Sequence, residues 1–258
     1  LLAMLWSLNR LNKIAKFLIS SILSSPITLQ DFHAKALADY GINDCWPEAV
    51  LKEAKTKKEN ISKEKDVLET FPCVTIDGED AKDFDDAIFC EFSDNGFHLK
   101  VAIADVSFYV KEGSALDLEA AKRTTSVYMP KKVVPMLPEK LSNELCSLQP
   151  NKRRRCLCIE MDFDKDGYIN SYKFHRGIIK SVARLTYTEV ENQLINGVKD
   201  SNYAESLKAA IALFNKLIIN KGYRGALDFT ISEPLVQTNS DGDIKHIADR
   251  KRLNSHKL

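Results

Sequence analysis

Alternating apolar and polar positions run through the chain beyond residue 66 and predict β-strands. The first two alternating stretches, residues 87–92 and 97–109, are separated by an Asn-Gly pair that is typical of a tight hairpin turn. Residues 155–163 and 168–185 form a second pair of strand-like stretches around the sequence DKDG. The C-terminal part alternates once more around NSDGD. Because strands joined by short turns pair antiparallel, the pattern predicts a largely antiparallel sheet.

Helical spacing of apolar positions predicts helices elsewhere. Residues 1–25 combine regularly spaced leucines with three basic side chains and no acidic one. This indicates an amphipathic packing helix, with targeting or membrane-surface binding as the alternative. Residues 114–124 and 203–222 are typical of helices, the first opened by a serine cap and the second closed near a glycine. Residues 51–69 carry dense charges of both signs, which suits a solvated helix or a linker.

These elements predict an α+β fold in which a mixed, largely antiparallel sheet is combined with helices. We place a boundary near residue 66, which separates an N-terminal helical and linker segment, residues 1–65, from a larger domain, residues 66–258. A chain of 258 residues with 44% hydrophobic content can bury a substantial core. The formal net charge is only +1, so a polyanionic partner has to be bound by local patches.

Cysteine usage and charge bear on the compartment. The six cysteines lie in apolar sequence without metal-binding spacing, which favours buried free thiols in a reducing compartment, and we predict a cytoplasmic protein. Basic residues interrupt every apolar window near the N-terminus that is long enough to span a bilayer, so we predict no membrane association. The basic sequence NKRRR, residues 151–155, is predicted to be a solvated loop before a strand.

The candidate chemistry lies between Asp77 and Asp86, where six acidic side chains share ten residues with one lysine, Lys82. Two carboxylates about 5 Å apart repel each other by roughly 3 kcal/mol at an effective dielectric constant near 20. Apolar residues are interleaved with the acids, so that some carboxylates must point away from bulk water and need a partner. Oxygen ligands without His or Cys favour Mg²⁺ or Mn²⁺ over zinc.

Three interpretations of the acidic cluster remain open on these grounds. They are a solvated acidic loop, a calcium-stabilised structural domain, and a two-metal site for phosphoryl transfer, which needs only oxygen ligands. Residues 162–169 match the opening of a calcium-binding loop, but Lys173 stands where that loop requires glutamate, and we predict a hairpin turn there. The cluster from Asp77 to Asp86 does not fit the calcium-loop template either.

Four motifs in order along the chain resemble the catalytic (RNB) domain of the ribonuclease II and ribonuclease R family. They are VTIDGEDAKDFDDAI, VAIADVSFYV, TSVYMPKKVVPMLPEKLSNELCSLQP and ARLTYTEV. The resemblance runs from about Val67 to the C-terminus, and GEDAKDFDDA is more similar to ribonuclease R. It implies a processive, hydrolytic 3′-to-5′ exoribonuclease that acts on single-stranded RNA, uses Mg²⁺ or, as the alternative, Mn²⁺, and releases nucleoside 5′-monophosphates.

The same resemblance implies roles for individual residues. The implied metal ligands are Asp77, Asp83, Asp85 and Asp86, of which Asp85 matches the catalytic aspartate of the family; Glu79 and Asp80 would form a solvated rim. The implied RNA contacts are Tyr128, near the 3′-terminal bases, Tyr187, which would line the RNA channel, and Arg184, a candidate phosphate contact. Stacking of a base on a tyrosine ring is worth about 1–3 kcal/mol and tolerates any sequence.

The resemblance also implies that the chain stops about midway through the catalytic domain of the family. We therefore expect a fragment with little or no activity of its own. The alternative is a catalytically silent RNA-binding protein of the same fold, which would be expected to lose one or more of the aspartates, and none is lost here. No obligate protein partner is inferred.

Overall fold

The computed structural model describes residues 29–59, 71–227, 234–239 and 244–258. The helix predicted for residues 1–25 and the boundary predicted near residue 66 lie outside these residues, and both stay predictions. Within the described residues, no helix is both long enough and apolar enough to cross a membrane.

The described residues form ten strands, six α-helices and two short helical turns. The strands are β1 (Val74–Asp77), β2 (Asp86–Ser93), β3 (Gly96–Ala104), β4 (Val127–Met129), β5 (Lys132–Val134), β6 (Arg153–Asp164), β7 (Ile169–Lys180), β8 (Ala183–Thr186), β9 (Pro234–Thr238) and β10 (Ile244–Asp249). The helices are α1 (Leu29–Asp39), α2 (Glu48–Thr56), α3 (Val106–Tyr109), α4 (Ala115–Arg123), α5 (Tyr187–Asn196) and α6 (Ala204–Tyr223). A π-helical turn covers Lys140–Leu145 and a 3-10 turn covers Asn254–Lys257.

The larger of two compact units contains a six-stranded sheet in the order β7-β6-β3-β2-β1-β8. Every neighbouring pair is antiparallel except β1 and β8, which run parallel. The β2–β3 and β6–β7 hairpins occur where the alternating pattern predicted them. The prediction of an α+β fold with a largely antiparallel sheet is therefore confirmed.

Helix α6 covers part of one face of this sheet. Its residues Ala209, Ala210 and Leu213 pack against apolar side chains of β2, β3 and β6 in a buried cluster. The hydroxyl of Ser206, on the same helix, accepts a hydrogen bond from the backbone N–H of Cys90 at 3.0 Å. The predicted helix over residues 203–222 is thus observed, and its apolar face fixes it to the sheet that carries the acidic cluster.

Two details of the strand predictions were wrong. The predicted strand over residues 97–109 ends at Ala104, because the Asp105 carboxylate accepts hydrogen bonds from the Phe108 N–H at 3.2 Å and the Ser107 hydroxyl at 2.6 Å, and so begins α3. The basic sequence predicted as a solvated loop enters β6 from Arg153 onward. Arg154 is buried there and donates to the Ser147 carbonyl oxygen at 3.0 Å.

The turn between β6 and β7 is a hairpin turn, as predicted, in the place of a calcium-binding loop. One carboxylate oxygen of Asp164 accepts hydrogen bonds from the backbone N–H groups of Asp166 at 2.9 Å and Tyr168 at 2.8 Å. Gly167 has a φ of 84°, and a Cβ atom at this position would lie 2.8 Å from the side chain of Lys216 on α6. The glycine is therefore required by the turn and by its packing, not by a bound ion.

The smaller unit consists of described residues up to Glu48, Lys122–Met136 and described residues of Thr230–Lys251. It contains α1 and the hairpins β4–β5 and β9–β10. The Arg123 guanidinium lies 3.6 Å from the ring centroid of Trp46 and donates to the carbonyl oxygen of Cys45 at 2.7 Å. All six cysteines are free, and the Cys45 thiol is exposed, so the prediction of buried thiols was wrong for this one cysteine.

Candidate active site

The acidic cluster lies at one edge of the six-stranded sheet. Asp77 is the last residue of β1 and Asp86 is the first residue of β2. The two strands are antiparallel, with Val74 opposite Ile88, so the end of β1 and the beginning of β2 meet at the same edge. The intervening residues 78–85 form the acidic loop. The ten-residue cluster of the sequence is therefore folded back on itself, and its two ends are brought together.

Phe84 anchors the acidic loop to residues 147–148. Its side chain is buried, its N–H donates to the Ser147 hydroxyl at 3.1 Å, and its carbonyl oxygen accepts from the Leu148 N–H at 2.8 Å. The Ser147 hydroxyl in turn donates to the carbonyl oxygen of Lys82 at 2.7 Å. Because Asp83 and Asp85 flank Phe84, the burial of this one ring fixes the backbone from which both carboxylates project.

The carboxylates of the cluster disfavour one another's ionised form. Burial, followed by the charge of Asp86, raises the pKa of Asp77 from 3.8 to about 6. Burial also raises the pKa of Asp85, with further contributions from Asp83 and Asp86, and burial raises the pKa of Asp86. Asp85 and Asp86 remain open to water on one side, which screens part of this repulsion.

One oxygen of the cluster has no hydrogen-bond donor among the described residues. Asp77 Oδ2 is buried and accepts no hydrogen bond. A buried carboxylate oxygen without a donor is costly, and a cation is the usual partner that makes such a site tolerable. Lys82, the one lysine of the segment, is exposed. The rise in the pKa of Asp77 is opposed first by the Thr75 side chain and then by the positive charge of Arg184, a residue more than a hundred positions away.

Arg184 on β8 holds the beginning of the acidic loop. Its guanidinium donates to the carbonyl oxygen of Gly78 and, at 2.8 Å, to the carbonyl oxygen of Glu79. Glu79 is exposed, as predicted for the rim, but its carboxylate also accepts a hydrogen bond from the Thr188 hydroxyl at 2.5 Å. Asp80 is exposed as well. The predicted phosphate contact of Arg184 stays a prediction, since in this structure the guanidinium binds the protein backbone.

Tyr187 stands beside the carboxylates because of the one parallel strand pair. Asp77 on β1 is paired with Thr186 on β8, and Tyr187 follows as the first residue of α5. Thr186 caps this helix: its hydroxyl accepts from the Glu189 N–H at 3.0 Å, and its own N–H donates to the Glu189 carboxylate at 2.7 Å. Burial, together with the charges of Asp77 and Asp86, raises the pKa of the Tyr187 phenol.

The structure thus places Tyr187 close enough to Asp77 and Asp86 to be affected by their charges, and Asp85 close enough to be affected by Asp83 and Asp86, all in the larger unit. Tyr128 belongs to the smaller unit, on β4, where its side chain is 65% exposed and pairs with Val133 across the hairpin. Its predicted contact with the 3′-terminal bases stays a prediction.

The residues at the sheet edge fit a hard divalent cation by the chemistry of their donors. All four predicted ligands are carboxylates, and the buried Asp77 Oδ2 lacks a hydrogen-bond donor. In the part of the chain that the structure describes, however, no group of three or more His, Cys, Asp or Glu side chains is already arranged to hold a metal ion. Side-chain rotation would have to complete such a group, as is feasible for the exposed Asp85 and Asp86.

Two residues that shape this site, Ser147 and His256, were not predicted from the sequence, and Arg184 was predicted only as a phosphate contact. Ser147 supports the loop under Phe84, Arg184 holds the Gly78 and Glu79 carbonyl groups, and His256 packs against Tyr187 with a centroid separation of 4.5 Å. Each contact joins residues more than sixty positions apart in the chain, so no local pattern could have indicated it.

Comparisons with known proteins identify the relatives of this chain. Residues 65–258 match the family described as RNB domain. The chain is 43% identical over 223 residues to ribonuclease R of Vibrio parahaemolyticus and 42% identical over 233 residues to ribonuclease R of Escherichia coli. These alignments cover 83% and 86% of the chain but only 27% and 28% of the two relatives, so the chain spans little more than a quarter of their length.

Solved structures show the same likeness. Mycoplasma genitalium RNase R in complex with ribose-methylated single-stranded RNA superimposes with a TM-score of 0.81 at 32% identity, over 86% of this chain and 36% of that one. The yeast pseudonuclease Ssd1 shares the fold alone, with a TM-score of 0.54 at 24% identity over 61% of this chain and 20% of its own. From the match over residues 65–258 and the identity to ribonuclease R, we conclude that the chain belongs to the RNB domain family.

Proposed function

We propose that this chain supplies the metal-binding carboxylates of a hydrolytic, processive 3′-to-5′ exoribonuclease that degrades single-stranded RNA to nucleoside 5′-monophosphates. The proposal rests on one observation: Asp77 Oδ2 is buried without a hydrogen-bond donor, and it lies at one sheet edge with Asp85 and Asp86. A solvated acidic loop would not bury a carboxylate oxygen without a donor. Membership of the RNB domain family, and relatives named ribonuclease R, support the same reaction class.

Asp77, Asp83, Asp85 and Asp86 would hold Mg²⁺, or Mn²⁺ in its place. When bound, such ions activate water for attack on a phosphodiester and stabilise the leaving oxygen. The chain's own part is to present the carboxylates on a fixed backbone, which the burial of Phe84 and the hydrogen bonds from Arg184 accomplish. Asp85 directly follows the anchored Phe84, and we propose it as the catalytic aspartate.

Tyr187 is suited to contact the RNA next to these carboxylates. Its ring is half-buried at the start of α5, directly after the residue that pairs with Asp77. A nucleotide that stacks on this ring would bring its phosphodiester toward the carboxylates without any reading of base identity. Tyr128 is exposed on β4 and would serve as a second stacking surface for the 3′-terminal bases. Single-stranded RNA is therefore the proposed partner.

The test compares two aspartate substitutions in the same loop. In the full-length protein, Asp85→Asn should abolish the release of mononucleotides from a uniformly labelled single-stranded RNA while it leaves RNA binding intact. Asp80→Asn, at an exposed rim position, is the matched control and should cleave like the wild type. Cleavage should require added Mg²⁺ and stop with a chelator. Undiminished cleavage by Asp85→Asn would refute the assignment.

The 258-residue chain is tested separately for metal binding. We propose that it has little or no hydrolytic activity alone, whereas Mn²⁺ should bind to it and bind more weakly to Asp85→Asn than to Asp80→Asn. A catalytically silent RNA-binding protein would bind RNA in the full-length form but release no mononucleotide with any divalent ion. A calcium-stabilised structural domain would gain thermal stability from Ca²⁺ and show no Mg²⁺-dependent hydrolysis.

A further inference from the structure

A segment far along the chain packs against the RNA-facing tyrosine of the candidate site. The imidazole ring of His256 lies next to the phenol ring of Tyr187, with the ring centroids 4.5 Å apart and the planes inclined by 54°. Favourable aromatic pairs have centroid separations of about 4.5–7 Å and contribute about 0.5–1.5 kcal/mol beyond the area they bury. The two residues are 69 positions apart, so this contact is made by the tertiary fold alone.

The position of His256 is fixed by its own turn. Its Nδ1 atom accepts a hydrogen bond from the backbone N–H of Leu253 at 2.9 Å. In the neutral imidazole, an Nδ1 that accepts a hydrogen bond leaves the proton on Nε2, so this bond selects both the ring orientation and the tautomer. The ring that meets Tyr187 is therefore held rigidly.

The turn is also attached to the helix that Tyr187 begins. The backbone N–H of Ser255 donates to the carboxylate of Glu191 on α5 at 2.9 Å, and Ser255 is almost fully buried. Leu258 packs against the cluster that includes Val190 on the same helix. Two contacts thus fix the position of the His256 turn against α5, and with it against the Tyr187 ring.

Tyr187 stands at the start of its helix. As the first residue of α5, it has no preceding helical turn on which its side chain can rest. The charges of Asp77 and Asp86 act on its phenol, but a carboxylate does not pack against an aromatic ring as a second ring does. Within the described residues, the His256 ring is thus the aromatic side chain that packs beside the Tyr187 ring.

We propose that His256 is a positioning residue that holds the Tyr187 ring where a nucleotide can stack on it beside the carboxylates. His256 acts through Tyr187 and need not touch RNA itself. The role toward RNA rests on the proposed function, whereas the contact between the two rings does not.

Two substitutions separate the ring of His256 from its hydrogen bond. His256→Asn keeps an acceptor for the Leu253 N–H but removes the ring, and His256→Phe keeps a ring but removes the acceptor. In the full-length protein, His256→Asn should raise KM for a single-stranded oligoribonucleotide about two- to tenfold at nearly unchanged kcat. His256→Phe should restore KM to within about twofold of the wild type. His246→Asn, at an exposed histidine of β10, is the matched control.

The double variant His256→Asn/Tyr187→Ala should have the same KM as Tyr187→Ala alone, because His256 acts only through that ring. A merely structural role would lower stability and kcat in the Asn and Phe variants alike, and that result would overturn the proposal. Unchanged KM in His256→Asn, with a wild type that degrades RNA, would overturn it as well.

A measurement without RNA distinguishes this inference from the proposed function. In NMR spectra of the chain with labelled tyrosine rings, the Tyr187 signal, identified through Tyr187→Phe, should shift in His256→Asn and much less in His256→Phe. An unshifted signal in His256→Asn refutes the contact whatever the activity. A wild-type protein that neither binds nor cleaves RNA refutes the proposed function, and with it the role of His256 toward RNA.

Discussion

The guanidinium of Arg184 donates a hydrogen bond to the carbonyl oxygen of Glu79 at 2.8 Å, and so fastens the acidic loop to a strand that is remote in sequence. The same guanidinium lies 5.6 Å from the ring centroid of Phe84. Phe84 is itself anchored by the Ser147 hydroxyl at 3.1 Å. The loop that presents the aspartates is therefore fixed at its beginning by Arg184 and near its end by Ser147.

Arg184→Lys should reduce RNA cleavage more than RNA binding. A lysine ammonium cannot reproduce the planar fork that donates to two carbonyl oxygens, so the carboxylates would lose their fixed positions. Misplacement of reacting groups by about 1 Å can lower a rate by roughly 100-fold, and we expect a loss of about 10- to 100-fold in kcat. The dissociation constant for single-stranded RNA, measured by fluorescence anisotropy, should change less than about twofold.

The result for Arg184 separates two roles for this side chain. If the guanidinium contacted a phosphate, its replacement by methionine would weaken binding and reduce the slope of log affinity against log salt by about 1. An unchanged salt slope in Arg184→Met, together with lost cleavage, supports the loop-holding role. A reduced slope would contradict it.

Phe84→Ala should destabilise the fold and disturb the site together. The Phe84 ring is 8% exposed, and its removal leaves a cavity under the acidic loop, with a cost of about 3 kcal/mol in the free energy of unfolding. Phe92→Ala is the matched control, because that ring is 57% exposed, and we expect a loss below about 1 kcal/mol. Urea denaturation measures both, and equal losses would show that Phe84 does not anchor the loop.

Most of the sheet was predictable from the sequence because strand alternation is a local property. The β2–β3 and β6–β7 hairpins follow from period-two patterns around turn residues, and both formed. The strand predicted through residue 109 failed at Asp105, where the apolar alternation continues but the carboxylate captures the Phe108 N–H and starts α3. A local capping bond therefore outweighed the alternation.

Part of the candidate site was likewise predictable from the local sequence, and part depends on the tertiary fold. The aspartates lie within ten residues of one another, so the sequence marked them as candidates, and the family resemblance implied their role as metal ligands. Arg184 and His256 reach the site only because β8 pairs parallel with β1 and because the turn at Asn254–Lys257 packs on α5. Such contacts depend on strand order, which alternation does not determine. The sequence accordingly indicated the carboxylates but not the residues that hold them.

A single thiol should react rapidly in the native protein. Cys45 is exposed, whereas the other five cysteines are buried, and burial raises the pKa of Cys73, Cys90 and Cys146 to about 12. Because the thiolate is the nucleophile, these three should be inert at neutral pH. Mass spectrometry after a short maleimide pulse should find one label natively and six in urea. Cys45→Ser should remove the native label, and several native labels would contradict the core.

Asp77 should make the stability of the metal-free chain depend on pH. Its pKa is about 6 in the folded protein against 3.8 ordinarily, so the folded state holds the proton more tightly than the unfolded state. The stabilising contribution is complete below about pH 4 and is lost as the pH rises through about 6. Asp77→Asn removes this loss, and the variant should gain stability relative to wild type as the pH rises from about 4 to about 6.

Added Mg²⁺ should reverse the order of stability of the wild type and Asp77→Asn. A bound cation favours the ionised carboxylate, so the wild type should gain stability from Mg²⁺ above about pH 6, whereas Asp77→Asn should gain much less. Asp80→Asn, at the exposed rim, should follow the wild type with and without the ion. Urea denaturation at several pH values, with Mg²⁺ or a chelator, measures all three proteins. If Asp77→Asn keeps the wild-type pH dependence and the wild-type response to Mg²⁺, then the buried oxygen of Asp77 is not the group that the cation neutralises.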